Sequence, residues 1–228
     1  MKRIMVGTPS YSGEVVMEFC RSFAASSLLC ATKGIYLDLV PDMGSSLIQV
    51  SRNWLMSEFL RRPEYTHLFW IDADLGWEPD APLKLLESDK DAIAGVYAAK
   101  LPYPCYPYDA AGGAQGVLQP AKRVPGGFVM LRRKVVEAVA ARCEKYTYER
   151  HNETREDVPY AYEVRLAPHE RYGGKPTLIG EDYSFSDKVI EAGFEIWVRT
   201  DIYFVHVGRR FWEAKLSELL KEHGRDSQ

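Results

Sequence analysis

The order of apolar and polar positions predicts alternating strands and helices over the first hundred residues. Short apolar runs typical of strands cover residues 3–7, 35–40, 67–71 and 92–97. Helical spacing of apolar residues lies between them, over residues 15–29 and 46–62, and a short helix is predicted from Pro82. The run after His67 is apolar throughout, as in a strand that is covered on both faces. This order predicts an α/β fold with a mainly parallel central sheet flanked by helices.

The second half of the chain has a less regular pattern. Strands are predicted at residues 128–131, 195–198 and 202–207, and helices at residues 134–143, 183–192 and 211–223. Residues 144–175 are strongly polar and rich in Tyr, Arg and Glu, which is typical of a lid, a binding loop or a disordered connection. A chain of 228 residues is long enough for one α/β domain, and we expect a single domain over residues 1–228.

Composition and charge narrow the class of protein. The chain is 46% hydrophobic and 27% charged, which is ordinary for a globular protein. Its formal net charge of -3 gives no electrostatic reason to expect nucleic-acid binding. The four cysteines form no metal-binding pattern and are expected to be free thiols in a reducing compartment. No run approaches the ~20 apolar residues of a membrane span, and the N-terminal run is shorter than that of a signal peptide. We therefore expect a cytoplasmic protein without a transmembrane segment.

Two aspartates directly after a buried strand give the strongest chemical signal. Asp72 and Asp74 lie two positions apart, so their side chains point to the same side of the chain. They follow the strand at the carboxyl edge of the sheet, where α/β proteins bind ligands. Paired carboxylates repel each other unless a cation or hydrogen-bond donors lie between them. The pattern indicates a hard divalent ion such as Mg²⁺ or Mn²⁺, although the two aspartates could also simply start a turn.

Three further side chains allow a structural and a chemical interpretation. Glu181 and Asp182 precede a predicted helix, where carboxylates are stabilised by backbone N–H groups. One of them could instead be a general base that takes a proton from an acceptor hydroxyl. His206 lies in an apolar strand and is either a hydrogen-bonded core residue or a neutral metal ligand.

A polar pair and a glycine pair are also candidates for ligand contacts. Arg52 offers a planar fork for a phosphate or a carboxylate, and Asn53 follows it on the same helix. Gly126 and Gly127 would allow a ligand to approach the backbone closely, or they could form a simple turn. Aromatic residues such as Tyr97 could stack on sugars or belong to the core.

Seven segments keep a characteristic order along the chain: residues 6–9, 51–53, 66–74, 94–97, 126–128, 180–185 and 205–208. Together they resemble family-2-like glycosyltransferases of the GT-A fold, in a compact single-domain form of the viral or phage type. The resemblance covers residues 3–210. It implies a nucleotide-sugar-binding half over residues 1–100, an acceptor-binding half over residues 101–210 and a C-terminal helix over residues 211–228.

The resemblance also implies roles for individual residues. Asp74 would bind Mn²⁺ (or Mg²⁺), His206 would complete the metal site, and Asp72 would bind the metal or the ribose. Asp182 would be the catalytic base of an inverting reaction, and Glu181 would orient the base or the acceptor. Contacts with the nucleotide, expected to be UDP, are implied for Thr8, Pro9, Tyr11, Arg52, Asn53, Asp72 and Gly127.

The expected activity is transfer of a sugar from a nucleotide-sugar donor to a hydroxyl group of a glycan or another acceptor. A nucleotidyltransferase that makes a nucleotide-sugar is an alternative, but the loop from Thr8 to Gly13 lacks the basic residues that such enzymes carry there. A nucleotide- or sugar-binding module without activity is a second alternative. A phosphatase with Asp72 as nucleophile is a third, and Gly76 stands where such enzymes carry Thr or Val.

Overall fold

The structure, a computed structural model, describes residues 2–150, 152–168, 173–208 and 211–217. The first half contains β1 (Lys2–Ser10), α1 (Met17–Ala31), β2 (Ile35–Met43), α2 (Ile48–Arg61), β3 (His67–Ile71), β4 (Leu75–Trp77), α3 (Ala81–Glu87) and β5 (Ala92–Gly95). The second half contains β6 (Asp109–Ala110), β7 (Leu118–Arg123), β8 (Phe128–Arg132), α4 (Arg133–Arg142), β9 (Lys145–Arg150), β10 (Glu153–Pro159), β11 (Arg165–Pro168), β12 (Pro176–Ile179), α5 (Glu181–Glu191), β13 (Ile196–Arg199), β14 (Phe204–Val207) and β15 (Phe211–Ala214).

The central sheet has eight strands in the order β2-β1-β3-β8-β5-β13-β7-β6. Strand β1 is parallel to both β2 and β3, and β13 is parallel to β5. The other neighbours in this sheet pair antiparallel. Within the described residues, β7 and β8 therefore run against the other six strands, which confirms a mainly parallel sheet flanked by helices.

Both faces of this sheet are covered, as the apolar run after His67 predicts. Leu68 and Trp70 belong to a core that contains side chains of α2, α4 and α5. Phe69 and Ile71 belong to a second core, on the other face, that contains side chains of α1 and α3. Successive residues of a strand point to opposite faces, so a strand that is buried on both sides must be apolar at every position.

The segment predicted as an irregular connection, residues 144–175, contains regular strands in its described part. Strands β9 and β10 form an antiparallel hairpin, and β11 pairs with β12. In β9, partly buried residues such as Tyr146 and Tyr148 alternate with exposed ones. Arg155 of β10 stacks on Trp54 of α2, with its guanidinium carbon 3.6 Å from the ring centroid. Burial of these aromatic and arginine side chains against α2 stabilises strands in a segment of polar composition.

The prediction of a C-terminal helix that begins at Phe211 is wrong for its first four residues. Residues Phe211–Ala214 form β15, which pairs antiparallel with β14 and extends a three-stranded sheet with β4. Pairing satisfies the backbone groups at the edge of β14, which outweighs the helical spacing of the side chains. The rest of the predicted helix, from residue 218, lies outside the described residues.

The four cysteines are free thiols, of which Cys30 is buried and Cys20 is exposed. In the part of the chain that the structure describes, every helix is too short or too polar to cross a membrane.

Candidate active site

Asp72 directly follows β3 and therefore lies at the carboxyl edge of the sheet, next to the turn that precedes β8. The register of β3 and β8 pairs Ile71 with Phe128, and the Asp72 N–H donates to the Gly127 carbonyl at 2.9 Å. The Asp72 carboxylate accepts a hydrogen bond from Arg52 Nη2 at 2.9 Å on Oδ1, and one from the Tyr97 hydroxyl at 3.3 Å on Oδ2. Both oxygens of Asp72 are thus engaged by the protein itself.

The glycine pair before β8 is required by this crowding. A Cβ atom at Gly127 would lie 2.3 Å from both Asp72 Oδ2 and Tyr97 Oη, and one at Gly126 would lie 2.9 Å from the Arg52 guanidinium. The close approach at Gly127 is made here by protein side chains, and its contact with a nucleotide stays a prediction.

Arg52 is the buried centre of the site. Its side chain is only 2% exposed and lies between the rings of Trp70 and Tyr162, with the guanidinium carbon 5.5 and 5.6 Å from their centroids. Besides Asp72, it donates to the Gly126 carbonyl at 2.7 Å, and its Nε lies 3.9 Å from Glu181 Oε1. Burial by itself lowers the pKa of Arg52, but the neighbouring acidic groups, of which Asp72 contributes most, together outweigh burial and raise it. Arg52 is a permanent internal cation.

Glu181 and Asp182 are the first two residues of α5, after Gly180 at the N-cap position. The backbone N–H of Tyr183 donates to Asp182 Oδ1 at 2.7 Å. Burial raises the pKa of both carboxyl groups, and the nearby charge of Arg52 only partly opposes this shift. The helix terminus thus holds two carboxylates that bind protons more tightly than exposed ones do.

His206 lies beside Asp74 because β4 directly follows the two aspartates and pairs with β14. This pairing places His206 opposite Leu75, and the Val207 N–H donates to the Asp74 carbonyl at 2.9 Å. His206 Nε2 is 3.6 Å from Asp74 Oδ2, and His206 Nδ1 is 2.8 Å from the Ala98 carbonyl. The carbonyl requires the hydrogen on Nδ1, so the lone pair of neutral His206 is on Nε2, on the side of Asp74.

Two of the three predicted metal ligands fit a divalent cation. A metal-binding histidine commonly donates its second N–H to a carbonyl, as His206 does to Ala98, and Asp74 adds a carboxylate next to Nε2. Each Asp72 oxygen accepts one hydrogen bond, from Arg52 or from Tyr97, and the binding of Asp72 to a metal stays a prediction. Within the described residues, no group of three potential metal ligands is assembled.

An open cleft of about 440 Å³ lies between the end of β1, the beginning of α1 and the two aspartates. Of the residues predicted to contact the nucleotide, Pro9, Tyr11 and Asp72 line this cleft. The Tyr11 ring is 70% exposed and free to stack on a ligand.

Two other predicted nucleotide contacts are buried away from the cleft. Thr8 is fully buried, since β1 continues to Ser10 in register with β2. The Asn53 amide is bound to backbone: Oδ1 accepts from the N–H groups of Ala161 and Tyr162, and Nδ2 donates to the Tyr162 carbonyl at 3.0 Å. Asn53 therefore fixes the chain at Tyr162, which in turn covers Arg52.

Comparison with known proteins shows the fold. No protein-family model and no curated protein matches the sequence. The structure is similar to A197 from STIV, with a TM-score of 0.58 and 14% identity over 95% of this chain and 91% of that one. It is also similar to the catalytic domain of Drosophila β1,4-galactosyltransferase 7 in complex with xylobiose, with a TM-score of 0.53 and 13% identity over 92% of this chain and 72% of that one.

A mutant of the Drosophila enzyme in complex with manganese, UDP-Gal and xylobiose gives a TM-score of 0.51 at 12% identity, with the same coverage. The chain has a GT-A-type fold. Within this GT-A-type fold, Asp72 after β3 and Glu181 at the start of α5 lie next to one buried arginine, Arg52.

The sequence analysis named Tyr97 only as a possible stacking residue and missed Tyr162 and Lys100. Tyr97 follows β5 at the same edge of the sheet as Asp72, so its place in the topology was a usable signal for a polar role. Tyr162 stacks on Phe185, with ring centroids 4.2 Å apart, and covers Arg52 from a segment predicted to be irregular. Lys100, whose ammonium contacts Asp74 Oδ2, lies in a loop without periodicity, where no local pattern identifies it.

Proposed function

We propose that the protein is a glycosyltransferase that transfers a sugar from a nucleotide-sugar, with UDP as the expected nucleotide, to a hydroxyl group of a glycan acceptor. The observation that carries the proposal is the position of Arg52. Its guanidinium binds Asp72 at the donor cleft and lies 3.9 Å from Glu181 at the start of α5. Two acidic pairs, one suited to a cation and one suited to a proton, are thereby held next to each other at the edge of the sheet.

The donor side of the proposal rests on the cleft beside β3. Pro9 and the exposed ring of Tyr11 offer an apolar surface for a nucleoside base, and the Asp72 and Asp74 end of the cleft is suited to the ribose and the diphosphate. The similarity to a Drosophila enzyme that was solved with manganese and UDP-Gal supports this choice of donor.

Asp74 and His206 are the residues that would hold Mn²⁺ or Mg²⁺, together with oxygens of the diphosphate. Bound there, a divalent ion supplies neutralisation of the charge that builds up on the leaving nucleoside diphosphate. Since Nδ1 of His206 is tied to the Ala98 carbonyl, Nε2 is the nitrogen available for the ion.

Asp182 is proposed as the base of an inverting displacement. Its carboxylate would take the proton of the acceptor hydroxyl while that oxygen attacks the anomeric carbon and the bond to the diphosphate breaks. Burial raises the pKa of Asp182, which makes it a better proton acceptor than an exposed aspartate. Glu181 would orient the acceptor, and Arg52 is a positioning residue that keeps Glu181 and Asp72 in place.

Calorimetric titration of UDP, GDP, CMP and dTDP, with and without Mn²⁺, tests the donor side. We expect Mn²⁺-dependent binding of UDP, and a loss of about 10–100-fold in affinity for Asp74→Asn, the range seen when the shell around a metal is disturbed. The exposed Asp157 of β10 supplies the control substitution Asp157→Asn, which should bind like the parent protein. The proposal fails if the folded protein binds none of the four nucleotides. If UDP binds, a transfer assay with UDP-sugars and measurement of the anomeric configuration of the product test the reaction.

A further inference from the structure

One short segment contacts all three residues that the sequence predicts as metal ligands. This segment, called here the 97–100 segment, follows β5 at the carboxyl edge of the sheet. The Tyr97 hydroxyl donates to Asp72 Oδ2 at 3.3 Å, and the Ala98 carbonyl lies 2.8 Å from Nδ1 of His206. The ammonium of Lys100 contacts Asp74 Oδ2.

Lys100 uses the same oxygen that a metal ion between Asp74 and His206 would need. Asp74 Oδ2 lies 3.6 Å from His206 Nε2, and it is also the partner of Lys100 Nζ. The Asp74–Lys100 pair is neutral as a unit, which removes much of the attraction of Asp74 for a second cation. A divalent ion next to an ammonium group would be strongly repelled, because like charges a few ångströms apart interact strongly at a protein surface.

We propose that Lys100 is a built-in competitor for the metal ion. Its ammonium neutralises Asp74 before metal binds, and it must leave Asp74 when the ion enters. The inference rests on the proposed function only in that Asp74 and His206 hold a divalent cation. Lys100 is a positioning residue in this role, since it acts through Asp74.

The side chain of Lys100 is able to make this exchange. It is 33% exposed, and a lysine ammonium is a hydrated point charge on a flexible stem, so it can leave Asp74 without disturbing the fold. Once released, it remains near Asp74, which lines the donor cleft, and the negative diphosphate of a nucleotide bound there would offer a new partner. Nucleotide binding should therefore strengthen metal binding, and part of that coupling should depend on Lys100.

Binding of Mn²⁺ to the nucleotide-free protein, followed by electron paramagnetic resonance of the free ion, tests the inference. We expect Lys100→Gln to bind Mn²⁺ at least about tenfold more tightly than the parent, because one positive charge beside the ion is removed. Lys100→Arg, which keeps the charge, should resemble the parent. The control Lys122→Gln, at an exposed lysine of β7, should also leave the affinity unchanged.

Equal or weaker Mn²⁺ binding by Lys100→Gln overturns the inference, and so does the absence of Mn²⁺ binding in both proteins, since there would be no ion to compete with. Thermal melting of each variant checks that the fold is kept. Titration of UDP at a saturating concentration of Mn²⁺ separates the two ideas. Absence of UDP binding under this condition speaks against the glycosyltransferase, whereas the comparison of Mn²⁺ affinities in nucleotide-free protein concerns Lys100 alone.

Discussion

The two acidic pairs of the site contain the same kinds of residue but lie in opposite electrostatic surroundings. Asp74, after β3, contacts the ammonium of Lys100 and lies 3.6 Å from His206. Asp182, at the start of α5, is largely buried, accepts a hydrogen bond from the Tyr183 N–H at 2.7 Å, and lies near the charges of Arg52 and Asp72. Arg52 lies between the two pairs, in contact with Asp72 on one side and near Glu181 on the other.

This difference moves the two pKa values in opposite directions. Burial alone would raise the pKa of Asp74, but the neighbouring His206 and Lys100 lower it below its usual value. Burial raises the pKa of Asp182, and Arg52 compensates only in part. A carboxylate with a lowered pKa is suited to holding a cation, and one with a raised pKa is suited to accepting a proton. The neighbours, rather than the residue type, thus move the two pKa values apart.

The largest effect is expected for Asp182→Asn. Loss of a general base should reduce sugar transfer by about 10²–10⁴-fold, while UDP binding stays as in the parent because Asp182 does not line the donor cleft. Glu191→Gln, at the exposed end of α5, is the matched control and should transfer sugar normally. Transfer by Asp182→Asn at the parental rate would remove Asp182 from the mechanism.

Arg52→Met removes the cation that the two pairs share. We expect the free energy of unfolding to fall by about 3–5 kcal/mol, since Asp72 and Glu181 would lose a buried partner. Urea denaturation measures this change. Arg61→Met, at the end of the same helix, removes an arginine whose side chain is 51% exposed and should cost about 1 kcal/mol or less. Equal destabilisation by both substitutions would show that Arg52 does not link the two pairs.

The smallest expected effect is on the free energy of unfolding, which should change in opposite directions when Asp74 and Asp182 are replaced. The lowered pKa of Asp74 stabilises the fold above the ordinary aspartate pKa, and this contribution is lost only when the pH falls through the lowered value. The raised pKa of Asp182 means that its ionised form destabilises the fold above that value. At pH 7 Asp74→Asn should therefore be less stable than the parent and Asp182→Asn more stable, each by about 1 kcal/mol or less, since Asp74 is partly exposed.

Urea denaturation between pH 8 and pH 4 sharpens the contrast. The advantage of Asp182→Asn should shrink as the pH falls, because the parent gains a proton on Asp182. The deficit of Asp74→Asn should persist over the same range, because Asp74 stays ionised. Stability changes of the same sign in both variants would contradict the opposite pKa shifts of Asp74 and Asp182.

The sheet and the two acidic pairs could be predicted because each is indicated by a pattern of residues that are neighbours in the sequence. A strand that is apolar at every position marks β3, and carboxylates directly after it fall at the carboxyl edge of the sheet. The fold of the first hundred residues follows from alternating periods of two and 3.6. These signals depend only on neighbours in the sequence.

The contacts of α2 could not be predicted in the same way. Residues Ser51–Ser57 are all buried, although Ser51, Arg52, Asn53 and Ser57 are polar. A polar residue in a helix is ordinarily assigned to the solvent or to a ligand, so Arg52 and Asn53 were expected at the nucleotide. Their partners are Gly126, Asp72 and the backbone at Tyr162, which only the tertiary fold brings together. The hairpin of β9 and β10 was missed because its alternation involves tyrosines partly buried against other rings.

The close approach at Gly126 and Gly127 also defines how relatives of this chain can be recognised. Any side chain at these two positions would collide with the Arg52 guanidinium or the Asp72 carboxylate. A homologue that keeps this arginine and this aspartate must therefore keep both glycines, whatever its donor sugar. An aspartate pair occurs often by chance, whereas an arginine, an aspartate after an apolar strand and a glycine pair before the next antiparallel strand form a joint signature that a sequence search can use.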